Sequence, residues 1–83
     1  MANKIYYKDS VGKDLKGIDR FEAKRIIAKI EKNLLGDADF GKPLKNSEYF
    51  SVRIGNYRVI YLKLKDGVLI SRIGHRKDVY DNL

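Results

Sequence analysis

Apolar positions along this chain follow a helical period in the first half and a strand period in the second. Between residues 20 and 35, Ala23, Ile26, Ile27, Ile30 and Leu34 recur at three- and four-residue spacing, which gathers them on one face of a helix. Arg25, Lys29 and Lys32 fall on the opposite face, while Arg20, Lys24 and Glu31 line one flank of the apolar stripe. Asp19 stands where an N-cap belongs, with Glu22 three residues on as in a capping box, and Gly36 is placed to stop the helix. From residue 50 the period drops to two. Phe50, Val52 and Ile54 alternate with Ser51 and Arg53, giving a strand with one apolar and one polar face. Residues 57–64 are apolar on both faces, as in a strand covered on both sides, and a third strand follows in the run VLISRI. Gly55-Asn56 and Asp66-Gly67 separate these three runs. The first suits a type II′ hairpin and the second a type I′ hairpin, so the stretch predicts an antiparallel meander.

The remaining segments complete the order. Residues 3–8, NKIYYK, are compatible with a short first strand. Residues 9–17 can hold a short helix with Val11 and Leu15 on one side, weakened by Gly12, since glycine inside a helix costs roughly 1 kcal/mol against alanine. Residues 36–48 read as a connecting loop, because Pro43 and two glycines break any regular pattern. The expected fold is therefore α+β, in the order β-α-α-β-β-β, with the meander packed against two N-terminal helices. With 83 residues and no internal repeat, the whole of 1–83 is expected to form one small domain.

Charge narrows the function. The formal net charge is +7 and the calculated pI about 9.7, an excess that favours polyanions such as RNA, DNA, an acidic protein or an anionic membrane. The absence of cysteine removes disulfides and thiolate chemistry, and a lone histidine does not make a histidine-rich metal site. No cofactor is expected. No run has the apolar length of a membrane span or signal peptide, so a soluble, cytoplasmic protein is expected.

The last third also carries a likeness. The run RIGNYRVIY, followed about a strand later by IGHRKDVY and preceded by GKPLK from Gly41 to Lys45, resembles the RelE branch of the RelE/ParE toxin superfamily of prokaryotic toxin–antitoxin pairs. The ordered set and its spacing carry the resemblance, not any single tetrapeptide. It implies a messenger-RNA endonuclease that acts in the ribosomal decoding site by metal-independent 2′-hydroxyl attack, together with an acidic antitoxin partner. By the same resemblance, Arg58 matches the arginine that binds the scissile phosphate, and Arg76 the one on the leaving-group side. Tyr80 matches the tyrosine proposed as general base, and Arg53 one of two cationic positions on the preceding strand. The other of those two is Ser51 here, where the best-studied branch has lysine. His75 is the nearest group to compensate, because an imidazole with an ordinary pKa near 6.5 transfers protons at neutral pH better than tyrosine or arginine. Lys42, Lys45 and Lys77 are candidate RNA contacts.

Each of these residues also has a plainer reading. Arg53 and Arg58 read as solvated strand residues, Arg76 and Lys77 as phosphate anchors without catalysis, Tyr80 as an aromatic closing the sheet edge, and His75 as structural. Tyr6, Tyr7, Tyr49, Tyr57 and Tyr61 read as packing. Two other functions compete with the nuclease: a ParE-like inhibitor of DNA gyrase, and a non-catalytic nucleic-acid-binding protein or degenerate toxin. The set Arg58, Arg76 and Tyr80 discriminates, since a pure gyrase binder has no need of it.

Overall fold

A computed structural model describes residues 4–35, 37 and 40–75. The elements are β1 (Lys4–Tyr7), α1 (Asp9–Lys16), α2 (Arg20–Leu34), β2 (Lys42–Pro43), β3 (Phe50–Ile54), β4 (Tyr57–Lys63) and β5 (Gly67–His75). Their strands form one five-stranded sheet in the order β1-β5-β4-β3-β2. β1 lies parallel to β5, and every other pairing is antiparallel. The expected α+β order is therefore present, with one addition. The connecting loop contains the two-residue strand β2, because Lys42 and Pro43 pair with Ser51 and Phe50 at the sheet edge, where proline is tolerated.

The sheet has two unlike faces. Cross-strand partners share a face, so Phe50 with Tyr61, Val52 with Val59 and Ile54 with Tyr57 all point the same way. Ile73 and Ile70 join them through their pairing with Val59 and Tyr61. Against this face α2 lays Ile26, Ile30 and Leu34, and α1 lays Val11, to close the core. Fully burying each such side chain is worth about 1.5–3 kcal/mol, which is what holds the helices on the sheet. Tyr61 lies at the centre with 0% of its surface exposed, its ring stacked on Phe50 at 5.5 Å. Its hydroxyl accepts a hydrogen bond from the Gly41 amide at 3.0 Å. That tyrosine does pack, as its place in the pattern suggested.

Local signals hold in part. Asp19 caps α2, its carboxylate accepting from the amides of Phe21 at 3.1 Å and Glu22 at 3.4 Å. Glu22 faces Arg25 at 3.6 Å, one turn along the same helix. α2 ends at Leu34, and Gly36 lies outside the described residues. Gly55 has a φ of +60° while Asn56 stays out of the left-handed region, as a type II′ turn requires. The second turn differs from expectation. Neither Asp66 nor Gly67 takes a positive φ, so the hairpin is not type I′. Leu64 and Gly67 are joined by a hydrogen bond of 2.8 Å, which leaves Lys65-Asp66 as the two loop residues. Gly67 is the first residue of β5, and the reason for glycine there is space. A Cβ at this position would sit 1.9 Å from the Lys4 carbonyl oxygen on β1.

Two glycine replacements should therefore act in opposite directions. Gly67→Ala is expected to cost roughly 1–3 kcal/mol by forcing β1 off β5. Gly12→Ala meets no atom within 4 Å and should stabilise by about 0.5–1 kcal/mol. Urea midpoints of the two variants against wild type check both signs.

Candidate nucleic-acid interface

The helices cover one face of the sheet and leave the other to its own side chains. On that open face the pairings Lys42–Ser51, Ser51–Ile60 and Ile60–Arg72 place four residues in one row. The next row is Arg53–Arg58–Gly74. Lys42, Arg53, Arg58 and Arg72 thus share a face. Ile60, fully buried, is the apolar floor between them.

Arg53 and Arg58 sit directly opposite each other on neighbouring strands. Two like charges in that arrangement repel and destabilise a sheet. Arg53 is exposed, and its Nε donates to the Gly55 carbonyl at 3.3 Å, which turns the guanidinium along the hairpin. Arg58 is half-buried, with its Nε shielded from solvent. The residue beside Arg58 on β5 is Gly74, which has no side chain of its own to set there.

A depression of about 350 Å³ opens here, lined by Lys42, Ser51, Arg53 and Arg58 together with Phe40, Gly41 and Val52. No carboxylate is among its described lining residues. Gly41 lets the chain pass close enough to form the wall, since a Cβ there would lie 2.7 Å from both the Ser51 carbonyl and the Tyr61 hydroxyl. Three cations and a hydroxyl around a concave surface make a site for an anion such as a phosphodiester. Ser51 is 6% exposed. A lysine in its place would bring a fourth long cation into the same space.

The other candidates are distributed differently. His75 is exposed at the end of β5 and pairs with Tyr57, whose ring it meets edge-on at 6.0 Å. Tyr57 packs against the helix-side core, so His75 projects from the opposite face to Arg53 and Arg58. Lys45 is exposed in the turn after β2, outside the depression. Arg76, Lys77 and Tyr80 lie outside the described residues. Arg72 was not among the residues singled out from sequence. Its signal was its place in the strand alternation, but the irregular pairing between Ile60 and Tyr61 shifts the register of β5 and hid it.

A small α+β chain with two helices on one face of a mixed sheet and cations on the other narrows the fold but not the activity. The comparisons make the family explicit. The sequence model of the ParE toxin of type II toxin–antitoxin system, parDE, matches residues 5–80. Toxin RelE3 of Methanocaldococcus jannaschii is 33% identical over 84 aligned positions, covering 94% of this chain and 96% of that protein. Among solved structures, the RelB–RelE antitoxin–toxin complex from Methanococcus jannaschii contains a chain that is 30% identical, with a TM-score of 0.69, covering 92% of this chain and 95% of that one. The RelBE2 toxin–antitoxin complex from Mycobacterium tuberculosis has a chain with a TM-score of 0.83 at 23% identity, covering 92% of this chain and all of that one, a likeness of fold. The chain belongs to the RelE/ParE superfamily of toxins. Among the described residues no helix is long and apolar enough to cross a membrane.

If the opposed arginines are kept for a ligand and not for the fold, Arg53→Gln should not destabilise the protein. A gain of about 0.2–1 kcal/mol is expected at low salt, shrinking as added salt screens the repulsion. Thermal melts at two ionic strengths, without nucleic acid, measure it.

Proposed function

We propose that this protein is a ribosome-dependent messenger-RNA endonuclease, a toxin that cuts messenger RNA in the decoding site and so halts translation. The observation that carries the reading is the direct opposition of Arg53 and Arg58 in a depression shared with Lys42 and Ser51, with no carboxylate among its described lining residues. Like charges held directly opposite each other cost stability, and a scissile phosphate is an anion that two guanidiniums hold well.

Cleavage needs four things. A base takes the proton of the 2′-hydroxyl, whose oxygen attacks the adjacent phosphorus. Cations hold the developing phosphorane, an acid protonates the leaving 5′-oxygen, and the three atoms stand in line. The P–O5′ bond breaks as the P–O2′ bond forms, leaving a 2′,3′-cyclic phosphate and a 5′-hydroxyl. In this reading Arg58 and Arg53 hold the phosphate, Arg76 serves the leaving-group side, and Tyr80 removes the 2′-hydroxyl proton. His75 projects from the opposite face, and a share in the proton transfers is tested separately below. Lys42, Lys45 and Lys77 contact the RNA backbone, and Ser51 contributes a hydroxyl in place of a charge, which lowers the rate relative to relatives with a lysine there. The ribosome supplies part of the in-line geometry. An antitoxin pairs with this chain, as the RelB–RelE complex joins antitoxin and toxin, and an acidic one on the basic surface neutralises much of the +7 charge. The site of action is the cytoplasm.

Primer extension on a defined messenger RNA in programmed ribosomes tests this, with wild type beside Arg58→Ala and Arg76→Ala. Cuts confined to the decoding-site codon are expected, dependent on ribosomes and weakened by about 10²–10³ in each variant, the usual loss for a group that stabilises transition-state charge. No cuts at a concentration that saturates ribosomes would sink the nuclease reading. The second reading is then gyrase inhibition, which the match to the ParE family favours. A supercoiling assay decides it.

His75 has its own test. If it carries protons, His75→Gln should flatten the pH–rate profile between about pH 5 and 8. An unchanged profile removes it from the chemistry and leaves it as the partner of Tyr57.

A further inference from the structure

The open face has a second hollow that the reading above does not use. It lies where α1 meets the far part of β5, encloses about 310 Å³, and is lined by Lys8, Ser10, Lys13, Asp14, Tyr49, Ser71 and Arg72. That volume is within the range of pockets that take small ligands. Three cations face one carboxylate there. The carboxylate is already engaged: Asp14 Oδ2 accepts from the Ile73 amide at 3.0 Å and stands 3.9 Å from Arg72 Nε. The hollow offers an anion the two lysine ammoniums and the hydroxyls of Ser10, Ser71 and Tyr49, beside the Arg72 guanidinium.

Its position relative to the first depression is fixed by the sheet. Arg58 pairs with Gly74, so Arg72 is its diagonal neighbour on the same face, about 7–8 Å away between backbones. That is the scale of one step along a single strand of RNA. Arg72 has one neighbour in each site, since it shares a row with Ser51 through Ile60 and an ion pair with Asp14.

We propose that this hollow is a second phosphodiester subsite, which holds the RNA backbone one nucleotide away from the phosphate between Arg53 and Arg58. The proposal rests on the open face being the RNA-binding surface. Two point-charge lysines and several hydroxyl donors suit the tetrahedral oxygens of a phosphate, which can accept from several directions at once. Asp14 acts as a positioning residue, tying Arg72 to α1 so that Lys13 and Arg72 reach the same anion.

The test uses Lys8→Gln/Lys13→Gln, because both lysines are exposed and neither Asp14 nor Arg72 is disturbed. The probes are a 2′-O-methyl hexanucleotide, which cannot be cut, and a dinucleotide that spans the first depression only. Binding is read by fluorescence anisotropy as a function of salt, with Arg53→Gln as the second variant. The double variant is expected to weaken the hexanucleotide several-fold and to lower the slope of log affinity against log salt by about 0.7, one single-strand phosphate contact. Dinucleotide affinity should stay unchanged. If the hexanucleotide is bound equally well by wild type and the double variant while Arg53→Gln weakens it, the subsite is wrong and the first depression stands. If neither variant changes binding, the open face is not the RNA surface and both readings fall. Equal weakening of both probes would make the lysines a diffuse field and overturn the subsite.

Discussion

The whole arrangement depends on how β5 satisfies its backbone hydrogen bonds. This nine-residue strand is buried along most of its length, and β4 covers one edge throughout. Its other edge has to be covered as well, because buried amides without partners are costly. β1 does so only from Gly67 to Ile70. Beyond it, the Lys8 amide reaches the Ile70 carbonyl at 3.0 Å, and the Asp14 carboxylate takes the Ile73 amide. A helix side chain thus finishes the job of a missing strand. That requirement fixes α1 against β5 and brings the polar side of α1 to the rim of the open face.

From this constraint the charge distribution follows. Both helices lie on one side, so most apolar strand positions face them, and among the described residues no helix covers the other side, which carries Ser51, Arg53, Arg58 and Arg72 around the buried Ile60. A chain with a formal charge of +7 then concentrates cations where three successive strands and the edge strand β2 present their polar positions. Arg53 against Arg58 is a local conflict that a sheet evolved only for stability would avoid. It stands out against the consistency of the other levels, from the Asp19 cap to the Tyr61 core. A fold by itself does not fix an activity, which rests on the side chains grafted onto it.

The helix α2, the three-stranded meander and the polarity of its faces were legible in the sequence. Each is a local property: a 3.6-residue period in Ile26, Ile30 and Leu34, a two-residue period in Phe50, Val52 and Ile54, and a glycine with positive φ at Gly55. Arg53, Arg58 and the Ser51 position were marked by family likeness and Lys42 as a candidate RNA contact, and the fold brings these four into one depression. His75 was adjacent to them in the reading of the sequence, yet faces the other way. The short strand β2 was hidden because two residues carry no periodicity.

What the sequence determined by itself is everything set by nearest neighbours along the chain: element type, one capping residue, one turn and the sign of the charge. Tertiary structure decided what depends on residues far apart in sequence. Gly67 looks like a turn residue until β1 is laid beside it, sixty-three positions from Lys4, and its glycine turns out to serve that close approach. Arg72 looks like one more solvated cation until the bulge in β5 and the carboxylate of Asp14 set it beside Arg58. Both outcomes come from the same physics: pairing register and close packing are fixed by contacts between strands and helices, and no window along one segment contains them.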